Sequence, residues 1–281
     1  NPDSAGDFRE LRALRRAGFN RLSLGMQSAC DEELRRIGRI HTFDQVRTAV
    51  DAARRAKFQN LSLDLIYGLP GQTPERWQAS LEAAVGLQPQ HLSCYGLKVE
   101  EGTPLYARRE QEDLPDDDAQ AELYLLTVDL LRHYGFFQYE ISNYAKPGFA
   151  CRHNIGYWKR TDYLGFGPSA ASLFGNCRWT NTADRSLYLK ACGALEKIRE
   201  DEEILSRQDA MEEFMFLGLR MTQGISTAEF EEQFGKEIHA VYGGVLKKYE
   251  AMHLLQEHSG RLALTRDGIS VSNVILADFL M

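Results

Sequence analysis

Arg21 to Gln27 and Leu61 to Leu65 each sort their side chains onto two faces. Leu22, Leu24 and Met26 alternate with Ser23, Gly25 and Gln27, and Leu61, Leu63 and Leu65 alternate with Ser62 and Asp64. A period of two makes both segments strands, apolar on one side and polar on the other. Helix signals separate them, and repeated strand, loop and helix units of this length imply parallel strands joined by crossover helices. An open parallel sheet covered on both sides wants two apolar faces, whereas a barrel with a ligand-holding interior tolerates a polar lumen. The expectation is an α/β chain of (β/α)-barrel type. Its chemistry should gather at the C-terminal strand ends, where Gln27 and Asp64 lie.

The neighbouring segments fit this plan. Phe8, Leu11 and Leu14 recur at helical spacing between Asp7 and Arg16, and Phe43, Val46, Val50 and Ala53 do so between Phe43 and Lys57. After Gly68-Leu69-Pro70-Gly71, Thr73 caps a helix whose first residue is Pro74, where proline's absent N–H costs nothing. His91 to Leu97 reads as a further strand, Asp116 to Tyr134 as a helix with acidic residues at its positive end, and Phe137 to Asn143 as a strand. From Ser206 the pattern turns helical, over Arg207 to Met221, Thr227 to Phe234 and His239 to His253. A hairpin about Ser259-Gly260 and a last helix ending at Met281 follow. Two domains are expected, 1–205 and a small winged-helix-like domain over 206–281.

Composition excludes several classes. The 281 residues are 43% hydrophobic, enough for a sizeable core, and no apolar run reaches the roughly 20 residues that a membrane-spanning helix needs. A cytoplasmic protein is expected. Thirty-three basic against forty acidic side chains, a net of −7, argue against nucleic acid as partner. The region from Ser206 on carries seven Lys or Arg against eleven Asp or Glu, unlike a winged helix that reads DNA. Cys30, Cys94, Cys151, Cys177 and Cys192 show neither metal-ligand spacing nor a disulfide framework, so most read as reduced core thiols.

Four strings, taken in order, carry more. Ser23-Leu24-Gly25-Met26-Gln27-Ser28, Gly38-Arg39-Ile40-His41 and Leu63-Asp64-Leu65-Ile66-Tyr67-Gly68-Leu69-Pro70 together resemble the radical-SAM proteins related to oxygen-independent coproporphyrinogen oxidase. His153-Asn154-Ile155-Gly156-Tyr157-Trp158, followed by Asp162-Tyr163-Leu164-Gly165-Phe166-Gly167, resembles the HemW haem-chaperone branch of that family. The resemblance spans nearly the whole chain. It implies S-adenosylmethionine across the barrel mouth in contact with Gln27, Arg39, Asp64 and, just beyond the third strand, Lys98. It also implies haem, with His153 as iron ligand and Tyr157 and Trp158 packed on the macrocycle. Read from the residues alone, Gln27 and Asp64 also suit structural hydrogen bonds, Arg39 a solvated charge and His153 a satisfied structural histidine.

The family's Cys-x-x-x-Cys-x-x-Cys string for a four-iron, four-sulfur cluster is absent from these residues, as is its glycine-rich strand end. The expectation is therefore a partial barrel lacking its first strands, with the cluster ligands upstream of Asn1 and the fragment itself inactive. Haem trafficking, with haem or porphyrin and acceptor proteins as partners, is favoured over oxidative decarboxylation of porphyrinogen propionates. A DNA-binding regulator is the remote third reading. The leading one needs Gln27 and Asp64 to share a hollow, with His153 serving the same ligands.

Overall fold

The structure is a computed structural model that describes residues 1–3, 5–191 and 193–280. Cys192 and the end of the last helix at Met281 lie outside the described residues. The chain divides into two compact units, Asn1–Ala150 and Cys151–Met281. The boundary expected at 206 falls within the second.

In the first unit, β1 (Arg21–Gln27), β2 (Asn60–Tyr67) and β3 (His91–Gly96) run parallel. Their register places Leu24 beside Leu63, Leu63 beside Leu92, Gly25 beside Asp64 and Asp64 beside Ser93. The leucine face therefore continues across all three strands. It packs on the helices Phe43–Arg55, Pro74–Gly86 and Asp117–His133 through Val46, Val50, Trp77, Leu81 and Leu131, all buried. Each such side chain taken fully from water stabilises the fold by roughly 1.5–3 kcal/mol. Trp77 keeps its polar atom satisfied, its Nε1–H donating to Thr127 Oγ1 at 2.8 Å.

Local signals set the helix starts. Thr73 Oγ1 accepts from the Arg76 N–H, with Pro74 at the first helical position, and Thr42 with Gln45 closes a capping box. Both glycines of the Gly68–Gly71 turn have positive φ. The space a Cβ at Gly71 would need is filled by the Arg36 guanidinium, which donates to the Pro70 carbonyl at 2.7 Å. The loop is therefore occupied by the protein's own side chain.

The single strand expected over Phe137 to Asn143 is instead a tight hairpin of β4 (Phe137–Glu140) and β5 (Asn143–Ala145). β5 pairs antiparallel with β3, giving the order β1-β2-β3-β5-β4. The sheet is thus parallel over three strands and closes with an antiparallel pair.

The second unit opens with the helix Arg152–Trp158. An antiparallel meander follows, β6 (Ala171–Phe174), β7 (Cys177–Asn181) and β8 (Arg199–Ile204). Then come the helices Arg207–Gly218, Thr227–Phe234 and Ile238–Ala251, and a small sheet of β9 (Ile225–Ser226), β10 (Leu255–His258) and β11 (Arg261–Leu264) in the order β10-β11-β9. Met215, Phe230, Tyr242, Leu246, Leu262 and Phe279 form its core. Three helices and a hairpin match the winged-helix pattern read from the sequence. The expected final helix is broken into Arg266–Ser270 and Ser272–Ala277.

Candidate functional site

The face of the first sheet opposite the leucines carries Ser23, Ser62, Asp64 and Ser93. Ser23 Oγ donates to the Asp64 carboxylate, 3.0 Å from each oxygen, and Ser62 and Ser93 also reach it. Burial raises the Asp64 carboxyl above the ordinary range, and these hydroxyls and the Arg21 charge only partly oppose the rise. Asp64 is thus a carboxyl short of solvent, held in place by hydroxyl groups.

Gln27 joins it through a backbone irregularity. The β1–β2 register slips between Gly25 and Gln27, and Gln27 takes φ +64°. Its amide then folds back over Gly25, the residue paired with Asp64, so that a Cβ at Gly25 would lie 2.7 Å from Gln27 Nε2. A side chain at Gly25 would displace the amide from that position. Gln27 and Asp64 therefore share one face of the sheet.

The other two residues of the set stand apart. Arg39 follows the helix Asp31–Arg36, and its guanidinium is half-buried with no ion-pair partner among the described residues. Lys98 is exposed beyond the end of β3, and its ammonium lies 2.9 Å from Glu100 Oε1. Any ligand carboxylate meeting Lys98 competes with Glu100.

Two clusters escaped the sequence reading. His91 is fully buried on the polar face, its Nδ1 2.8 Å from Ser62 Oγ and its Nε2 2.8 Å from the Tyr139 hydroxyl. Burial, aided by Arg21, lowers its pKa to about 3, so the ring is neutral. Alternation in His91-Leu92-Ser93 could have flagged it, because it repeats the polar spacing of the first two strands. The second cluster is fully buried Glu33, whose Oε2 accepts from Ser28 Oγ at 2.5 Å and from Gln72 Nε2 at 3.0 Å. Gln72 Oε1 in turn accepts from the Gly68 N–H at 2.9 Å. Glu33 thereby ties the loop after β1 to the loop after β2 and fixes the strand ends that carry Gln27 and Asp64.

In the second unit, His153 and Tyr157 are one helical turn apart on an exposed face of Arg152–Trp158. Their rings meet edge-on with centroids 4.6 Å apart, and Tyr157 meets Tyr163 in the same way at 4.7 Å. The imidazole makes no hydrogen bond to protein among the described residues. Trp158 does not join them. It lies under the Arg220 guanidinium, 4.5 Å from the ring centroid, and lines a separate cavity of about 380 Å³ with Phe214, Met221 and Ile225. The first unit thus carries Gln27, Arg39, Asp64 and Lys98, and the second His153, Tyr157 and Trp158.

Cys94 is buried, with its thiol pKa pushed up by desolvation, whereas Cys30, Cys151 and Cys177 are only half-buried, against the expectation of core thiols. No three His, Cys, Asp or Glu side chains converge on a metal position among the described residues. No helix among them is long and apolar enough to cross a membrane.

Comparison with known proteins places this geometry. Residues 2–84 match the Radical SAM superfamily, and 205–271 match the HemN C-terminal domain. The chain is 35% identical over 282 residues to a heme chaperone HemW of Bacillus subtilis, covering 100% of this chain and 74% of that protein. It is 34% identical over 283 residues to a heme chaperone HemW of Lactococcus lactis, again covering 100% and 74%. The solved structure of coproporphyrinogen III oxidase (HemN) from Escherichia coli superposes with a TM-score of 0.80 at 22% identity, covering 98% of this chain and 67% of that one. That last likeness concerns the fold.

Proposed function

Because the chain belongs to the HemW haem-chaperone family of radical-SAM proteins, we propose that it binds haem at His153 and S-adenosylmethionine over the polar face of its first sheet, and passes the haem to an acceptor protein. The observation that carries the haem reading is the exposed His153 imidazole, set edge-on to Tyr157 and without a hydrogen bond to protein among the described residues. Neutral imidazole with a free ring nitrogen is a common axial ligand of haem iron. Tyr157 offers an aromatic edge beside it, while Trp158 supports the helix from below through its stack on Arg220.

Titration with haemin, followed by its absorption band, tests this. His153→Ala is expected to move the band and to weaken binding about ten-fold or more, the loss of one metal-ligand bond at an open site. An unchanged band and affinity would remove the assignment.

On the polar face, S-adenosylmethionine would supply a reducible sulfonium. Asp64 would accept from its hydroxyls or ammonium, Gln27 would donate its amide, and Arg39 and Lys98 would meet its carboxylate. The crowding of Gly25 by Gln27 and the serine-held, solvent-poor Asp64 suit such a polar ligand. The described residues offer no donor set for a four-iron, four-sulfur cluster. Residues 206–281 serve as the accessory domain.

Asp64→Asn is expected to lower S-adenosylmethionine affinity ten- to hundred-fold, roughly the worth of a hydrogen bond to a charged acceptor, as read by calorimetric titration. The same variant should melt no earlier than the parent, since burial already disfavours the ionised carboxyl. Parent-like affinity would dismiss Asp64 as a ligand contact.

A further inference from the structure

We propose that the groove beside the loop Asp162–Gly167 seats one edge of a planar tetrapyrrole dicarboxylate, with Arg199 meeting one of its carboxylates. The inference rests on the haem-binding reading and assigns the macrocycle, as distinct from the iron, to named residues.

The loop makes the case. Leu164, Phe166 and Phe174 are 53%, 83% and 57% exposed. The backbone that carries them is fastened at both glycines of the loop. The Gly165 N–H donates to Ser172 Oγ at 2.9 Å, Asn181 Nδ2 donates to the carbonyls of Gly165 and Gly167 at 3.1 and 3.0 Å, and the Gly167 N–H donates to the Tyr188 hydroxyl at 2.9 Å. A Cβ at Gly165 would lie 2.2 Å from the Ala171 carbonyl oxygen, so this tight path needs glycine. Three polar side chains, making four hydrogen bonds, hold the loop that presents leucine and phenylalanine to solvent. A preformed apolar surface is how binding energy is kept from being lost to ordering.

The surroundings select the ligand. Leu164, Phe166, Phe174, Trp179, Tyr188 and Arg199 line a groove of about 260 Å³. This is below the roughly 300–1,000 Å³ of pockets that enclose a whole drug-sized molecule, so it suits one edge of a larger plate that must later leave. Arg199 stacks on the Trp179 ring, 4.2 Å from its centroid, and its one ion pair among the described residues is a long 3.6 Å contact with Glu202, which leaves it able to turn to a ligand anion. Flat apolar walls with one cation at the rim complement a flat apolar plate with anionic arms. The ring series His153, Tyr157, Tyr163 reaches the same small sheet, where Tyr163 bridges Leu173 in β6.

The test titrates the whole chain with haemin, with metal-free protoporphyrin IX and with protoporphyrin dimethyl ester, in the parent, Phe166→Ser and Arg199→Met. Both substituted residues are exposed or rim-placed, and far-UV dichroism with a melt checks the fold. If Arg199→Met does not fold, Phe166→Ser decides. Each variant is expected to bind haemin and protoporphyrin IX about ten-fold more weakly while the haemin band keeps its position, because the iron ligand is untouched. The ester should bind the parent weakly and be indifferent to Arg199→Met. Groove variants with parent-like affinity for both ligands would overturn the groove and leave His153 as haem contact. A parent that binds neither haemin nor protoporphyrin IX would overturn both readings.

Discussion

Glu213→Ala is expected to remove about 3–5 kcal/mol of unfolding free energy, the usual result of stripping one partner from a buried ion pair. Glu213 lies in the helix Arg207–Gly218. Its Oε2 accepts from Arg160 Nε at 2.7 Å, and its Oε1 accepts from an Arg178 terminal nitrogen at 2.6 Å. The Arg160 and Glu213 side chains are only 6% and 8% exposed, so water cannot replace the carboxylate when it is lost. Two guanidinium groups would then face each other with Asn176 Oδ1, 2.7 Å from Arg160, as the remaining acceptor.

The position of Arg160 raises the stakes. It follows the helix Arg152–Trp158 with φ +54°, where a glycine would sit without cost. Its ion pair holds that unfavourable turn closed and with it the helix that presents His153. Urea unfolding of Glu213→Ala should therefore show the loss directly, with a melting midpoint lower by roughly 10 °C for a unit of this size. Haemin affinity should fall alongside, although no haem contact has been touched. Glu213→Gln, which keeps an acceptor and loses the charge, should fall between. A loss below about 1 kcal/mol would mean that the pair behaves as a solvated surface bridge.

Little of this network is visible in the sequence, because Arg160, Arg178 and Glu213 are far apart and only the packing of the meander on the helix brings them together. The parts that are visible have local causes. Alternation in β1 and β2 gives the polar face and puts Asp64 on it, whereas Gln27 reaches it through the register slip after Gly25, and Thr73 and Ser226 mark their helix starts because a capping hydroxyl acts within three residues. The strand Phe137 to Asn143 fails to predict its own reversal because Ile141-Ser142 carries no glycine, proline or asparagine to signal a two-residue turn. β8, Arg-Glu-Asp-Glu-Glu-Ile, is exposed throughout and built mostly from residues that disfavour strands, so neither pattern nor propensity reveals it. His153 and Tyr157 are one turn apart and could be paired from sequence. The turning of Trp158 to another cavity depends on Arg220, sixty-two residues on, and could not.

His91 should make the protein acid-labile over a range in which most histidines are harmless. Its ordinary pKa of 6.5 falls to about 3 in the fold, through desolvation first and the Arg21 charge second. Below pH 6.5 the unfolded chain takes up a proton that the folded chain refuses, so stability drops as the pH falls and the full loss is reached only near pH 3. Across that window the linkage amounts to roughly 3–5 kcal/mol, at no more than about 1.4 kcal/mol per pH unit. Asp64 acts in the opposite sense on the same face. Its raised carboxyl pKa means that the fold gains a proton before the unfolded chain does, and its contribution rises as pH falls toward the ordinary carboxylate range. Asp64 is present in both proteins compared, so its share cancels in the difference between the parent and a His91 variant. Urea unfolding of the parent and of His91→Gln at pH 7, 6 and 5 separates them. The glutamine can still bond Ser62 or Tyr139 but takes up no proton. The parent curve should fall toward acid relative to the variant curve over this interval. Parallel curves would show that the buried ring accepts its proton as readily as a free one, with Ser62 and Tyr139 shifting to let water reach it.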